Sequence, residues 1–80
     1  MLLLFVRTGC PYSAKVVYEM EALGIPYEAR NIKEPGVGAE LMARGGKRQT
    51  PYMVDEEGGV SLYDSHAIIK HLHERFTPHP

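Results

Sequence analysis

The fold is decided by the stretch Leu2-Leu3-Leu4-Phe5-Val6-Arg7-Thr8-Gly9-Cys10-Pro11-Tyr12-Ser13. Its first part, Leu2 to Val6, is a continuous apolar run of strand length, which indicates a strand buried on both faces. Its second part sets Cys10 directly before Pro11, a residue suited to the first position of a helix. Unpaired N–H groups and the positive end of the helix dipole meet there, and they favour thiolate over thiol. The stretch therefore predicts a buried strand that leads to a reactive cysteine at a helix start.

The segment after this stretch predicts a βαβ unit. The pattern from Tyr12 to Leu23 is that of an amphipathic helix with Val16, Met20 and Leu23 on one face, and Gly24 and Pro26 end it. An alternating strand follows from Tyr27 to Ile32. A strand, a helix and a second strand at this spacing indicate a right-handed crossover with parallel strands.

The second half of the chain predicts one short helix and then a hairpin and a final helix. The short helix runs from Ala39 to Arg44, with Val37, Leu41 and Met42 facing inward. The hairpin strands are Tyr52 to Asp55 and Val60 to Tyr63, and the last helix begins at Asp64-Ser65, buries Ile68, Ile69, Leu72 and Phe76, and ends at Thr77-Pro78. The order βαβ-α-ββα resembles the α/β thioredoxin-like fold, a four-stranded mixed sheet flanked by three helices.

Composition narrows the class of protein. The 80 residues are expected to form a single domain, 1-80, and the net charge of −1 argues against binding to nucleic acid or to an anionic membrane. One cysteine excludes a disulfide-stapled secreted scaffold. No apolar run approaches a transmembrane length, and Arg7 interrupts the first one at once. We expect a reduced, soluble, cytoplasmic protein.

Three short motifs are candidates for chemistry. Cys10 is the expected nucleophile, and Ser13, where a two-cysteine motif would hold a resolving thiol, is expected to be a solvated first-turn residue that helps to cap the helix. Thr50-Pro51 has two interpretations: an ordinary proline before a strand, or a cis proline opposite Cys10 whose preceding backbone pairs with an extended peptide-like ligand. Asp64-Ser65 caps the last helix, and its free N–H groups are suited to a carboxylate.

Basic residues and histidines give weaker signals. A second carboxylate could be held by Arg7, Lys47, Arg48 and Gln49, although solvated basic side chains are an equal interpretation. His71 and His73 point to different faces of one helix, and His79 lies near the end of the chain, so no metal site is expected.

Cys10-Pro11-Tyr12-Ser13, Thr50-Pro51 and Asp64-Ser65, in this order and spacing, resemble the glutaredoxins and the closely related amino-terminal domains of glutathione S-transferases. The segments Gln49 to Asp55 and Tyr63 to Ile68 are particularly similar to the transferase type. Two differences from glutaredoxins stand out. Ser13 replaces the second cysteine of the dithiol motif, and Thr50 directly precedes proline where many glutaredoxins have Thr-Val-Pro.

The resemblance implies glutathione as co-substrate and a role for each matching residue. Cys10 would carry the glutathionyl mixed disulfide, with Pro11, Tyr12 and Ser13 as its neighbours and Tyr12 flanking the thiol pocket. By the same resemblance, the residues that bind glutathione are Arg7, Tyr12, Arg48, Gln49, Thr50, Pro51, Asp64 and Ser65. The implied activity is that of a monomeric glutathione-dependent thiol-disulfide oxidoreductase that reduces protein–glutathione mixed disulfides by a monothiol mechanism in redox homeostasis and electron transport.

Two alternatives stay open at this point. Cys10 with bound glutathione could ligate an iron–sulfur cluster between two copies, although the usual motif for that role has Gly-Phe where this chain has Pro11-Tyr12. The chain could also act as a glutathione S-transferase-like domain, which would show activity on a chloroaromatic substrate and none on a glutathionylated disulfide.

Overall fold

The computed structural model describes residues 2–76 of the chain. Its elements, in chain order, are β1 (Leu2–Val6), α1 (Pro11–Ala22), β2 (Tyr27–Asn31), α2 (Val37–Gly45), β3 (Tyr52–Asp55), β4 (Val60–Leu62) and α3 (Ser65–Phe76). The predicted order βαβ-α-ββα is confirmed. The bounds differ most at α2, which begins two residues earlier and ends one residue later than the sequence pattern predicts. The predicted end of α3 at Thr77-Pro78 lies outside the described residues.

Within the described range the strands form one mixed sheet in the order β2-β1-β3-β4. β1 is parallel to β2, with Leu2 opposite Tyr27, and antiparallel to β3, with Leu4 opposite Met53. β4 completes the sheet antiparallel to β3. β1 and β3 are therefore the central strands, which explains why their residues are buried almost without exception. The four-stranded mixed sheet with three helices, the thioredoxin-like arrangement, is confirmed.

Two hydrophobic clusters cover the two faces of the sheet. Successive side chains of a strand point to opposite faces, so β1 supplies Leu2 and Leu4 to one cluster and Leu3 and Phe5 to the other. The first cluster, under α1 and α3, is completed by Val16, Met20, Ile25, Met53, Ile68 and Leu72. The second, under α2, is completed by Ile32, Leu41, Tyr52 and Val54. This division is the reason that β1 has no polar position.

The helix α2 corrects one predicted core residue. Leu41 is fully buried and Val37 packs against its cluster, but Met42 is 46% exposed. Residues four apart share a helix face, whereas the next residue is turned away from it. Val37 and Leu41 therefore face the sheet, and Met42 faces solvent.

The start and end of α1 follow from its flanking residues. Pro11 occupies the first helical position, where its missing N–H group costs no hydrogen bond. At the other end, Gly24 adopts a φ of +68° and its N–H bonds the carbonyl of Glu21 at 3.1 Å. A glycine suits this left-handed position because a side chain would strain it.

No helix within residues 2–76 is long and apolar enough to cross a membrane.

Candidate functional site

Cys10 is the N-cap of α1. Its backbone is extended (φ −85°, ψ 113°), and its Sγ accepts a hydrogen bond from the backbone N–H of Ser13 at 3.4 Å. The carbonyl of Cys10 already accepts a helical bond from the N–H of Ala14 at 3.1 Å. The sulfur thus occupies the place that a serine or aspartate oxygen usually fills at a helix start. The positive end of the helix therefore acts directly on the thiol, which is half-buried.

The surroundings lower the pKa of Cys10. Partial burial raises the pKa of the thiol, but hydrogen bonds from Ser13, Thr50 and the Tyr12 backbone outweigh burial and bring the pKa to about 7. About half of the thiol is then ionised near neutral pH, whereas an ordinary cysteine is only a few per cent thiolate. The thiolate is the nucleophilic form, so the geometry supports a reactive cysteine.

Ser13 is buried, which corrects the prediction of a solvated serine. The residue is 3% exposed, and its Oγ accepts a hydrogen bond from the backbone N–H of Arg7 at 3.4 Å. The hydroxyl therefore joins the end of β1 to the first turn of α1. Its backbone N–H and its side chain both help to hold Cys10 as a thiolate.

The peptide bond between Thr50 and Pro51 is cis, and Pro51 directly precedes β3. The carbonyl oxygen of Thr50 lies 3.9 Å from Cys10 Sγ. The start of β3 and the start of α1 therefore meet at the sulfur, although the two segments are 40 residues apart in the sequence.

A cavity of about 300 Å³ lies beside this meeting point. It is lined by Tyr12, Gln49, Thr50, Pro51, Tyr63, Asp64 and Ser65. All except Tyr63 are among the residues that the sequence resemblance assigns to glutathione. The structure therefore brings six of the eight assigned residues to one cavity, from three separate segments of the chain.

Asp64 caps α3, as the sequence predicts. Its Oδ1 accepts a hydrogen bond from the N–H of His66 at 3.1 Å, and its carbonyl accepts one from the N–H of Ile68 at 2.8 Å. The side chain of Asp64 is exposed, and it lines the cavity together with Ser65. A negative carboxylate and a helix N-terminus are thus presented to the same space, a combination suited to a ligand end that carries both charges.

The two arginines assigned to glutathione lie elsewhere. Arg7 lines a different cavity of about 470 Å³ on the α1–β2 side of the sulfur, which Cys10 and Ser13 also line. Arg48 lines a third cavity against α2, where its guanidinium lies so close to Gly38 that an added Cβ would be 3.0 Å away. Neither arginine lines the cavity at Thr50.

Two of the described histidines contact carboxylates, and the backbone N–H of the third, His66, bonds the capping residue Asp64. His71 Nε2 lies 2.9 Å from Asp55 Oδ2, and His73 Nε2 lies 3.0 Å from Glu19 Oε2. Across residues 2–76 no three His, Cys, Asp or Glu side chains are grouped so that they could hold a metal ion. His79 lies outside the described residues.

Sequence reasoning gave no role to Tyr63, which the structure places in the wall of the cavity. The sequence position of Tyr63 could have indicated this role. Tyr63 directly precedes the predicted cap Asp64 and therefore lies at the same end of the sheet. Sequence reasoning also left unassigned the apolar wall on the other side of Cys10, which Val17 and Tyr18 of α1 help to form.

Comparisons with known proteins identify relatives of this arrangement. Residues 4–80 match the family model described as the glutathione S-transferase N-terminal domain. A diazinon-metabolizing glutathione S-transferase of the silkworm Bombyx mori is 26% identical, with a TM-score of 0.80 over 98% of this chain and 39% of that chain. A glutathione S-transferase of the Antarctic clam Laternula elliptica is 23% identical, with a TM-score of 0.81 over 99% of this chain and 36% of that one.

A glutathione transferase homologue from Sulfitobacter, solved with bound glutathione, shares the fold at 19% identity, with a TM-score of 0.76 over 95% of this chain and 37% of that chain. The chain thus spans less than two fifths of the length of these solved relatives. Comparison with curated proteins gives no significant match. The family model covers nearly the whole sequence, and the fold agrees with that of the solved glutathione S-transferases. The chain belongs to the glutathione S-transferase N-terminal domain family.

Proposed function

We propose that this domain binds glutathione and uses Cys10 for thiol-disulfide exchange, reducing mixed disulfides between glutathione and proteins. The observation that carries the proposal is the position of Cys10. Its sulfur caps a helix, its pKa is lowered to about 7, and it lies 3.9 Å from the carbonyl of Thr50 at the edge of the cavity. A serine or tyrosine at this position could not form a disulfide, whereas a cysteine can.

Each part of glutathione has a chemically suitable partner in the cavity. The γ-glutamyl end carries an ammonium and a carboxylate, which suit the Asp64 side chain and the free N–H groups at the start of α3. The cysteinyl part is an extended peptide, which suits the backbone of Thr50 before the cis proline. Two structural relatives, Ure2p and the Sulfitobacter homologue, were solved with glutathione, which supports this choice of ligand.

The proposed reaction has two exchange steps. The Cys10 thiolate attacks the glutathionyl sulfur of the mixed disulfide, the sulfur–sulfur bond breaks, and the protein thiolate leaves and takes up a proton. The thiolate of a second glutathione then attacks the glutathionyl sulfur held on Cys10, the bond to Cys10 Sγ breaks, and oxidised glutathione and the Cys10 thiolate are released. In total, one glutathione reduces one mixed disulfide to a protein thiol and oxidised glutathione. A low pKa serves both steps, because Cys10 is first the attacking and then the leaving group.

The second step requires an external thiol. The chain has one cysteine, and Ser13 stands where a resolving cysteine would stand. A buried serine hydroxyl cannot displace a disulfide, so the intermediate waits for glutathione. Under this proposal the rate depends on glutathione concentration even when the mixed disulfide is saturating.

The proposal is tested by following reduction of a glutathionylated peptide, coupled to an enzyme that recycles oxidised glutathione. Cys10→Ser should lose the activity, whereas Ser13→Cys should retain it. Ser61→Ala is the matched control and should behave as wild type, because Ser61 is exposed on β4 and lines neither the cavity at Thr50 nor the cavity at Arg7. Full activity in Cys10→Ser would disprove the mechanism.

Transfer of glutathione to an electrophile is a second candidate function, and family membership favours it. In that case the cavity would hold glutathione while its own sulfur attacks a chloroaromatic carbon and displaces chloride. Measuring conjugation and disulfide reduction on the same preparations separates the two candidates. Conjugation that persists in Cys10→Ser, with no disulfide reduction in wild type, would assign the domain to the transferase reaction. The iron–sulfur alternative stays a prediction, tested by whether protein purified without oxygen is brown and dimeric.

A further inference from the structure

Tyr63 lines the cavity at Thr50 and contacts the backbone of the connection that leads to it. Its Oη donates a hydrogen bond to the carbonyl of Lys47 at 2.7 Å and accepts one from the backbone N–H of the same residue at 3.0 Å. The hydroxyl thus satisfies both backbone groups of a residue in the connection between α2 and β3. Tyr63 itself lines the cavity and lies directly before Asp64 in the chain.

The surroundings of Tyr63 are shaped to keep this contact. Its ring lies 4.3 Å from the ring of Tyr52, centroid to centroid, and the Lys47 Nζ lies 5.6 Å from its centroid. A Cβ added to Gly45 would come within 3 Å of the Tyr63 ring and closer still to its hydroxyl, so only glycine leaves room for the hydroxyl. Two independent features thus fix the position of the Tyr63 hydroxyl: the absence of a side chain at Gly45 and the pair of hydrogen bonds to Lys47.

The segment that Tyr63 holds contributes directly to the cavity. Lys47 is followed within three residues by Gln49 and Thr50, both of which line the cavity, and Thr50 also contacts Cys10 Sγ. The connection is otherwise exposed from Gly46 to Gln49, with little burial to fix its course. The tyrosine hydroxyl therefore ties this exposed connection to the residue that precedes Asp64.

We propose that Tyr63 is a positioning residue for the ligand: its hydroxyl holds the segment from Lys47 to Thr50 in place at the glutathione cavity without touching the reacting sulfur. The inference rests on the proposed function. Without the hydroxyl, the Lys47 segment gains conformational freedom in the unbound protein. Glutathione binding then has to order this segment, which costs free energy and weakens binding. The expected result is weaker glutathione binding with unchanged chemistry at Cys10.

The test compares Tyr63→Phe with Tyr27→Phe, which also removes a hydroxyl with a side-chain partner, Glu21 at 3.4 Å, but away from the cavity. Tyr63→Phe should raise the dissociation constant of glutathione about three- to tenfold, the range expected from one lost hydrogen-bonding group. The pH midpoint of Cys10 alkylation should stay that of wild type. Trypsin should cut after Lys47 and Arg48 faster relative to Lys33, a ratio that uniform destabilisation would not change.

The outcomes separate this inference from the proposed function. Wild-type affinity and an unchanged cleavage ratio in Tyr63→Phe would overturn the positioning role while leaving the proposed function standing. A wild-type protein that shows no glutathione binding would overturn both. An equal loss of affinity in Tyr27→Phe would also overturn the positioning role, since the effect would then be global.

Discussion

Replacing Asp55 with asparagine should lower the stability of the protein and remove part of its sensitivity to acid. The residue ends β3 and is 2% exposed. Its carboxylate accepts hydrogen bonds from Arg75 Nε at 2.7 Å, from His71 Nε2 at 2.9 Å and from the N–H of Gly58 at 3.0 Å. These contacts fix the β3–β4 hairpin against the last two turns of α3, on the side of the molecule away from Cys10.

The size of the effect follows from these contacts. Hydrogen bonds to a charged group are worth about 1.5–3 kcal/mol, and breaking a buried ion pair costs about 3–5 kcal/mol. The Arg75 and His71 side chains are 34% and 18% exposed, so water replaces part of what they lose. Asparagine also keeps an acceptor for Gly58. We therefore expect a loss of about 2–3 kcal/mol, which corresponds to a fall in Tm of about 8–24 °C for a domain of this size.

The pH dependence has a definite sign. Burial raises the pKa of Asp55, but the hydrogen bonds from His71 and Gly58 and the charge of Arg75 outweigh burial and lower it. A lowered pKa contributes stability above the unfolded value of about 3.9, and that contribution is lost as the pH falls through the folded value. The difference in the free energy of unfolding between wild type and Asp55→Asn should therefore be largest near neutral pH and should become smaller below about pH 4.

Urea unfolding followed by circular dichroism, at neutral pH and at about pH 3, measures both effects. Glu56→Gln is the matched control, because it removes a negative charge from the adjacent, exposed position. A difference of less than about 0.5 kcal/mol between wild type and Asp55→Asn at neutral pH would refute the reasoning. A gap of equal size at both pH values would refute the assignment of the pKa.

Three further predictions concern the sulfur and the core. The rate of Cys10 alkylation by iodoacetamide should rise with pH to a midpoint near 7, and a midpoint near that of free cysteine would contradict the assigned thiolate. Ser13→Ala should move this midpoint upward, because the serine side chain helps to lower the pKa; an unchanged midpoint would exclude that contact. Leu41→Ala should cost about 2–5 kcal/mol in urea unfolding, whereas Met42→Ala, its exposed neighbour, should change stability little; equal losses would contradict the orientation of α2.

Much of the fold follows from local patterns in the sequence. The apolar run of β1 indicated a central strand because a strand covered on both faces has no polar position, and the two clusters that share β1 confirm this. The prediction of the inward face of α2 was wrong at Met42. In so short a helix, the positions of Val37, Leu41 and Met42 are compatible with more than one buried face. Only the packing of Leu41 against the sheet selects one of them.

The site was predictable in its parts but not in its geometry. Cys10, Thr50-Pro51 and Asp64-Ser65 each carry a local signature of a helix start or a strand start. The cis form of the Thr50–Pro51 bond depends on its tertiary surroundings, so the sequence left it open. Arg48 shows most clearly what the sequence leaves open. It is one residue from Gln49 in the sequence, yet it lines a different cavity against α2.

The pKa of Cys10 bears on the choice between exchange and conjugation. Conjugation needs the glutathione sulfur to be the nucleophile. The Cys10 thiolate beside it is a second, competing nucleophile, and a disulfide substrate would react with Cys10. Exchange needs the protein sulfur to be the nucleophile. An attacking thiol works best when its pKa lies near the ambient pH, and the pKa of Cys10 is about 7. The same value makes Cys10 a good leaving group when glutathione attacks the intermediate. Under the proposed function, the sulfur that caps α1 therefore passes glutathione between thiols, and this is the step that the Cys10→Ser comparison of exchange with conjugation tests.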